Sequence, residues 1–425
     1  MNKLPALIGS LLVSVATAAV AQTTCPTQNN TIPPGANTTD PSAPFFIDTT
    51  GLDLSTQPPT RDPFNPNYPP ATQLPDGQVP STATDGNFII GATHTVAPET
   101  IAQPQVAKGT ITTFTLTSTN SLLFNPGEVR DEPCLDAVIY GATHVPGDNS
   151  NLIELASHPG TWTRAVDVYI PAGFHGESEL PFIVMGDGGA GSFETTLFTT
   201  LDNLIAQHRL PPMAVISIAN GGQDAQGSER GREYDTVSGA YAEWVETEVL
   251  PFVEARLKVR LTSNPDGRAA MGFSSSAAAA FSMAWFHPEL YHRVLGYSPT
   301  MVNQQWPHDP SLPGGAWNFH SPWAGGPIPN FTMNGLIPDS PRKPIRFWFE
   351  TGDQDLFYPA LGLPDGMHDW TMANENMAKV LAAKGYQYQF IFSRNAHHVD
   401  GPTELQTLPE ALQWLWRGYP AQAVD

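Results

Sequence analysis

The chain has 425 residues, of which 41 are acidic and only 20 are Lys or Arg, for a formal net charge of −21. That length suits one large domain with an appendage. No Lys/Arg run is present to neutralise phosphates, so nucleic acid and anionic membranes are not expected partners.

The N-terminus has the pattern of a secretory leader. Lys3 supplies the positive start, an apolar stretch follows to Val20, and Ala19-Val20-Ala21 offers small residues for cleavage. Residues 1–21 are therefore expected to be a signal peptide, and the mature protein to be secreted or periplasmic. No other run is long and apolar enough to span a bilayer. In an oxidising compartment Cys25 and Cys134 are expected to pair as one disulfide, two free buried thiols being the alternative. Neither has the neighbours of a nucleophile or a metal ligand.

Residues 22–85 are rich in Pro, Thr, Asn and Asp. Such a composition buries no core of its own and reads as an arm or linker, parts of which can lie on the folded body. Residues 86–150 change to short strand patterns, NFIIGATH and GTITTFTLTST, and read as a small β-rich module or as a β extension of the main sheet.

From about residue 151 to 425 strand and helix patterns alternate. The strands are RAVDVYIP, PFIVMG, MAVISIAN, RAAMGF, RVLGYSP, IRFWFETG and YQFIFSRN. Between them helical periodicity appears near 195–208, 239–257, from the serine run onward, 370–383 and 405–416. Repeated strand–helix–strand units predict an α/β protein with a doubly wound, mostly parallel sheet. The stretch 301–344 breaks the rhythm. It is Pro- and Gly-rich and carries Trp306, Trp317 and Trp323, so it reads as a lid-like insertion. Its tryptophans are candidates for stacking on substrate, and equally for packing the insertion onto the body.

The stretch GFSSSAAAA carries the first chemical signal. The strand RAAMGF runs directly into serine and then into a helix-forming run. A sharp strand–nucleophile–helix turn needs small residues two positions either side of the nucleophile. Ser274, flanked by Gly272 and Ser276, meets that need; Ser275 does not, because Phe273 lies two positions before it. The pattern is G-x-S-x-S, with Ser276 where G-x-S-x-G has glycine. That departure is expected to set the helix slightly farther from the strand. An acid and a histidine follow in order at later strand ends, in GDQD and in AHHVD. A Ser–His–Asp arrangement lets histidine take the serine proton while the carboxylate orients the imidazole. The glycines of MGDGG, after another strand, suit backbone N–H donation to an oxyanion.

These pieces, with REYDTVSGAYAEWVETEVLPFVE, resemble the esterase family of α/β-hydrolases that contains esterase D, enterochelin esterase and feruloyl or acetyl xylan esterases. The resemblance covers somewhat over half of the chain. It implies an α/β-hydrolase fold and a serine carboxylic ester hydrolase without metal or organic cofactor. It places the nucleophile on Ser274, the acid on Asp355 rather than Asp353, and the base on His398 rather than His397. The oxyanion donors fall on the backbone of Gly188 or Gly189 and of Ser275. Glu233 and Tyr234 fall in a stretch near the pocket and are candidate substrate contacts. The substrate class implied is a carbohydrate-linked ester, feruloyl or acetyl. An acyltransferase, a polyester or siderophore esterase, and a non-catalytic binding protein that kept the fold are the alternatives. The sequence sets no oligomeric state.

Overall fold

The computed structural model describes residues 70–130, 157–222 apart from 177 and 190, 227–302, 335–356 and 370–420. The leader, Cys25, Cys134, Trp306, Trp317 and Trp323 lie outside these residues.

A ten-stranded sheet organises the described residues. In chain order its strands are β1 (Ala71–Gln73), β2 (Gly86–Ile90), β3 (Thr110–Thr117), β4 (Thr163–Ile170), β5 (Phe182–Gly186), β6 (Ala214–Ile218), β7 (Arg268–Phe273), β8 (Arg293–Tyr297), β9 (Arg346–Gln354) and β10 (Gln387–His397). Across the sheet they run β1-β2-β10-β9-β8-β7-β5-β6-β4-β3. All pairings are parallel except β3 with β4 and β4 with β6. The central strands are near-continuous apolar runs because both of their faces are covered. Along β5, Phe182 and Val184 pack into one core layer, while Ile183 and Met185 pack into the other.

Apart from one short turn at Leu336–Asp339, the α-helices of the described residues are α1 (Ser192–Ala206), α2 (Glu229–Tyr234), α3 (Ala240–Trp244), α4 (Leu250–Leu257), α5 (Ser275–Phe286), α6 (Trp370–Ala383) and α7 (Gly401–Trp416). The helix expected over 239–257 is continuous from α3 into α4 through one π turn at Val245–Val249. Helix α5 is buried along nearly its whole length. Its four consecutive alanines, Ala277 to Ala280, are strong helix formers and let its first turns lie close to the sheet.

The two N-terminal strand patterns form no unit of their own. Strand β2 pairs with β10, while β3 pairs with β4 at the opposite edge of the same sheet. Both of these strand patterns thus extend the main sheet, while Gly127–Arg130 pairs with Ser157–Gly160 in a separate two-stranded sheet. Unpaired edge groups of the hydrolase strands supply the reason: one edge takes β2 and the other takes β3. The end of the Pro-rich segment joins as well, because β1 pairs with β2. Beyond β2, His94 bridges the side chain of Gln406 at 2.8 Å and the backbone carbonyl of Arg394 at 2.9 Å. The N-terminal segment thus braces the strand that leads to His398.

Candidate active site

Strands β7, β9 and β10 end on the same side of the sheet, and their ends bring together Ser274, Asp355 and His398. Ser274 follows β7 with φ 54° and ψ −121°. A residue with a Cβ seldom adopts this geometry, which turns the strand sharply into α5 and exposes the hydroxyl. Gly272 makes the turn possible: a Cβ there would lie 2.2 Å from the Ser276 carbonyl carbon.

His398 Nε2 lies 2.9 Å from Ser274 Oγ, and His398 Nδ1 lies 2.6 Å from Asp355 Oδ1. The Asp355 carboxylate also accepts from the Thr351 hydroxyl at 2.8 Å and from the Leu356 N–H at 2.7 Å. Burial alone would raise its pKa. The hydrogen bond and charge of His398, with the Ser298 hydroxyl and the Leu356 N–H, outweigh burial and hold it below the ordinary carboxylate value. Beneath it, burial and the charge of Asp355 push the Glu350 carboxyl well up. The two neighbouring carboxyls are thereby shifted in opposite directions.

The neighbouring candidates fall elsewhere. Asp353 accepts the Ala396 N–H at 3.3 Å and so supports the histidine loop. Gly352 is required there, since a Cβ would lie 2.1 Å from the Ala396 carbonyl oxygen. His397 is exposed, with its backbone N–H on the Asp400 carboxylate at 3.3 Å. Thr300, which sequence reasoning did not single out, brings its hydroxyl to 3.3 Å from Ser274 Oγ. The buried Trp370 ring stands edge-on to His398 with centroids 5.7 Å apart.

Three expectations need correction or refinement. The Gly188 N–H donates to the Ile218 carbonyl at 2.8 Å. It is spent on strand β6 and is not free for an oxyanion. Gly189, with φ 70° and open space where a Cβ would stand, is the remaining glycine of the proposed pair. Ser275 opens α5, where the first N–H groups have no acceptor within the helix. Second, Glu233 and Tyr234 do not line an open pocket. The Glu233 carboxylate and the Arg164 guanidinium are fully buried against each other, and the guanidinium packs on both Trp162 and Trp244, 3.9 and 4.7 Å from the centres of these two mutually perpendicular rings. Tyr234 is 1% exposed, and its hydroxyl accepts the Asp187 N–H at 3.1 Å. Third, Ser276, at the position where glycine is usual, has its hydroxyl satisfied within the elbow itself. Its hydroxyl donates to the Phe273 carbonyl and accepts the Phe273 N–H, both at 2.8 Å. Its Cβ faces Gly186, where an added Cβ would come within 2.6 Å.

Among the described residues, no group of three or more His, Cys, Asp or Glu side chains is arranged to hold a metal ion, and no helix is long and apolar enough to cross a membrane.

Residues 157–388 match the family model described as "Putative esterase". The chain belongs to this family. The ten-stranded, mostly parallel sheet covered by helices on both faces fits the α/β-hydrolase fold expected of it. No curated protein matches it. Among solved structures, the enterochelin esterase of Shigella flexneri is 19% identical, with 60% of this chain aligned to 55% of that one at a TM-score of 0.42. The chain thus spans about half the length of that enzyme. A ferulic acid esterase of Anaeromyces mucronatus is 11% identical, with 76% of this chain aligned to 96% of that one at a TM-score of 0.46.

Proposed function

We propose that this esterase is a secreted serine carboxylic ester hydrolase that works through Ser274, His398 and Asp355. The observation that carries the reading is the continuous line of hydrogen bonds from Ser274 Oγ through His398 to Asp355, at 2.9 and 2.6 Å, with the serine on a left-handed turn. In the first half-reaction Ser274 Oγ attacks the ester carbonyl as His398 Nε2 takes its proton. Asp355 stays ionised, fixes the imidazole tautomer and stabilises the imidazolium. The Gly189 and Ser275 N–H groups receive the developing oxyanion. Collapse of the tetrahedral intermediate expels the alcohol, which takes the proton from His398. In the second half-reaction water repeats the sequence on the acyl-serine, releasing the acid and restoring the serine.

The resemblance carried by MGDGG, GFSSSA and AHHVD, together with the leader pattern, supports an extracellular carbohydrate-linked ester, feruloyl or acetyl, as substrate. A fluorophosphonate is expected to modify the folded protein at Ser274, and Ser274→Ala to abolish both labelling and hydrolysis. A folded protein that stays unlabelled would overturn the reading. Methyl ferulate and acetylated xylan, assayed beside simple p-nitrophenyl esters, test the substrate class. Turnover of the simple esters alone would remove the carbohydrate-linked assignment and leave the triad standing.

A further inference from the structure

Asp187 follows β5 directly and has φ 55°. A residue with a Cβ keeps this left-handed conformation only where its surroundings hold it. Here four bonds do so. Arg230 forks onto the carboxylate, Nε to Oδ1 at 2.9 Å and Nη2 to Oδ2 at 2.7 Å. Asn220 Nδ2 donates to Oδ1 at 2.8 Å, and the Asp187 N–H donates to the Tyr234 hydroxyl at 3.1 Å. Arg230 and Tyr234 lie four residues apart on α2 and so share one face of it. Arg230 also sits 5.5 Å from the centre of the Tyr234 ring. Helix α2 is itself anchored by the buried Glu233–Arg164 pair and started by Ser228, whose hydroxyl accepts the Gly231 N–H at 3.0 Å. The next residue along the loop, Gly188, is fixed to Ile218. Gly189 is therefore the first residue beyond two consecutive anchors.

We propose that Arg230 is a positioning residue: through its fork on Asp187 it holds the loop that aims the Gly189 N–H at the oxyanion. This rests on the serine-esterase reading above. The pair is poorly suited to substrate binding, because both carboxylate oxygens are already occupied and the two side chains are only 12% and 15% exposed. A planar fork fixes the orientation of the carboxylate, and hence of the backbone it belongs to, in a way a point charge cannot.

The test compares Arg230→Met and Arg230→Lys with wild type on p-nitrophenyl acetate and on an alkyl boronic acid, whose tetrahedral adduct on serine places an oxygen in the oxyanion hole. Arg230→Met is expected to lower kcat about 10–100-fold with KM changed less than about threefold, since a misplacement of about 1 Å near the reacting atoms has that scale of effect. Boronate affinity is expected to fall by the same factor, and Arg230→Lys to fall between. Arg268→Gln removes a second ion pair, Arg268–Glu246, and is expected to leave kcat unchanged while lowering stability. A kcat within about twofold of wild type in folded Arg230→Met would overturn the proposal, because a lost oxyanion donor costs about 100-fold or more. So would a lost kcat with boronate affinity intact. If Arg230→Met does not fold, Tyr234→Phe removes the acceptor of the Asp187 N–H and keeps the ring; a several-fold fall in kcat and boronate affinity supports the clamp, and no fall in either overturns it. Failure of the underlying reading looks different: wild type itself then escapes fluorophosphonate labelling.

Discussion

Gly186 and Ser276 should be energetically coupled, and the size of the coupling follows from their contact. A Cβ at Gly186 would lie 2.6 Å from the Ser276 Cβ, whereas the next nearest atoms, on the Tyr234 ring, are 3.4 Å away. Gly186→Ala alone overpacks the elbow and should cost about 1–3 kcal/mol. Ser276→Gly alone loses two hydrogen bonds to Phe273, about 1 kcal/mol each, with up to about 1 kcal/mol more for glycine in a helix. In the double variant the added methyl meets no Ser276 side chain, so the clash is relieved. The double variant should therefore be about 1–2 kcal/mol more stable than the sum of the singles. Gly272→Ala gives the contrast. Its Cβ would meet the Ser276 backbone at 2.2 Å, so Ser276→Gly should not rescue it. Urea unfolding of the variants, with slopes compared to check two-state behaviour, measures the coupling. Additivity within about 0.4 kcal/mol for Gly186→Ala and Ser276→Gly would refute the steric account.

Asp355→Asn should lower kcat by about 10³–10⁴ with little change in KM, because an amide fixes the wrong imidazole tautomer; Asp353→Asn, which keeps an acceptor for Ala396, should retain activity in the same steady-state assay. Glu229 supplies a pH dependence. Burial, and then the charge of Glu233, push its carboxyl up from 4.5 to about 8, so between those values the folded state binds more protons than the unfolded chain. Its contribution to stability is full below the unfolded pKa and is lost as pH rises through about 8. Glu229→Gln should accordingly raise the urea midpoint at pH 9 relative to wild type and change it least near pH 5, where wild-type Glu229 is already neutral in the folded protein.

What the sequence discloses depends on how local the determining contacts are. The serine elbow is encoded within five residues, because small side chains two positions either side of Ser274 are a local steric need. The acid and the histidine are readable as polar ends of apolar strands. By contrast, Asp187 and Arg230 stand 43 residues apart, and nothing in DGG or SERGREY announces that they meet. Arg164 shares its face of β4 with the buried Val166 and Val168, so alternation turns it toward the core, but nothing in the strand itself announces the distant Glu233 that pairs with it there. That same pairing removes Glu233 from the list of substrate contacts. The alternation in β2 and β3 identifies strands, but the choice of edge is made by partners distant in sequence, Thr163–Ile170 for β3 and Gln387–His397 for β2. The Gly188 N–H looked available because glycine loops usually free their amides, and it is taken by the end of β6.

The distribution of backbone strain points to a common cause for these long-range contacts. Seven non-glycine residues have positive φ among the described residues. His208 and Lys258 follow helices; Asp187, Ser274, Ser298, Asn395 and Val399 surround the triad. Such conformations persist only where neighbouring bonds over-determine them. Ser298 illustrates how that is arranged. It directly follows β8, the strand between those leading to the serine and to the acid. Its N–H donates to the Glu350 carbonyl at 2.8 Å, and its hydroxyl accepts the Val399 N–H at 2.9 Å and reaches the Asp355 carboxylate. One small residue thereby ties the acid loop to the turn that follows His398. On the other side of the nucleophile the Asp187 fork ties the glycine loop to α2. If preorganisation of charge and donors lowers the barrier here, the strained residues and the distant side chains that hold them belong to one device, with Ser274 at its centre.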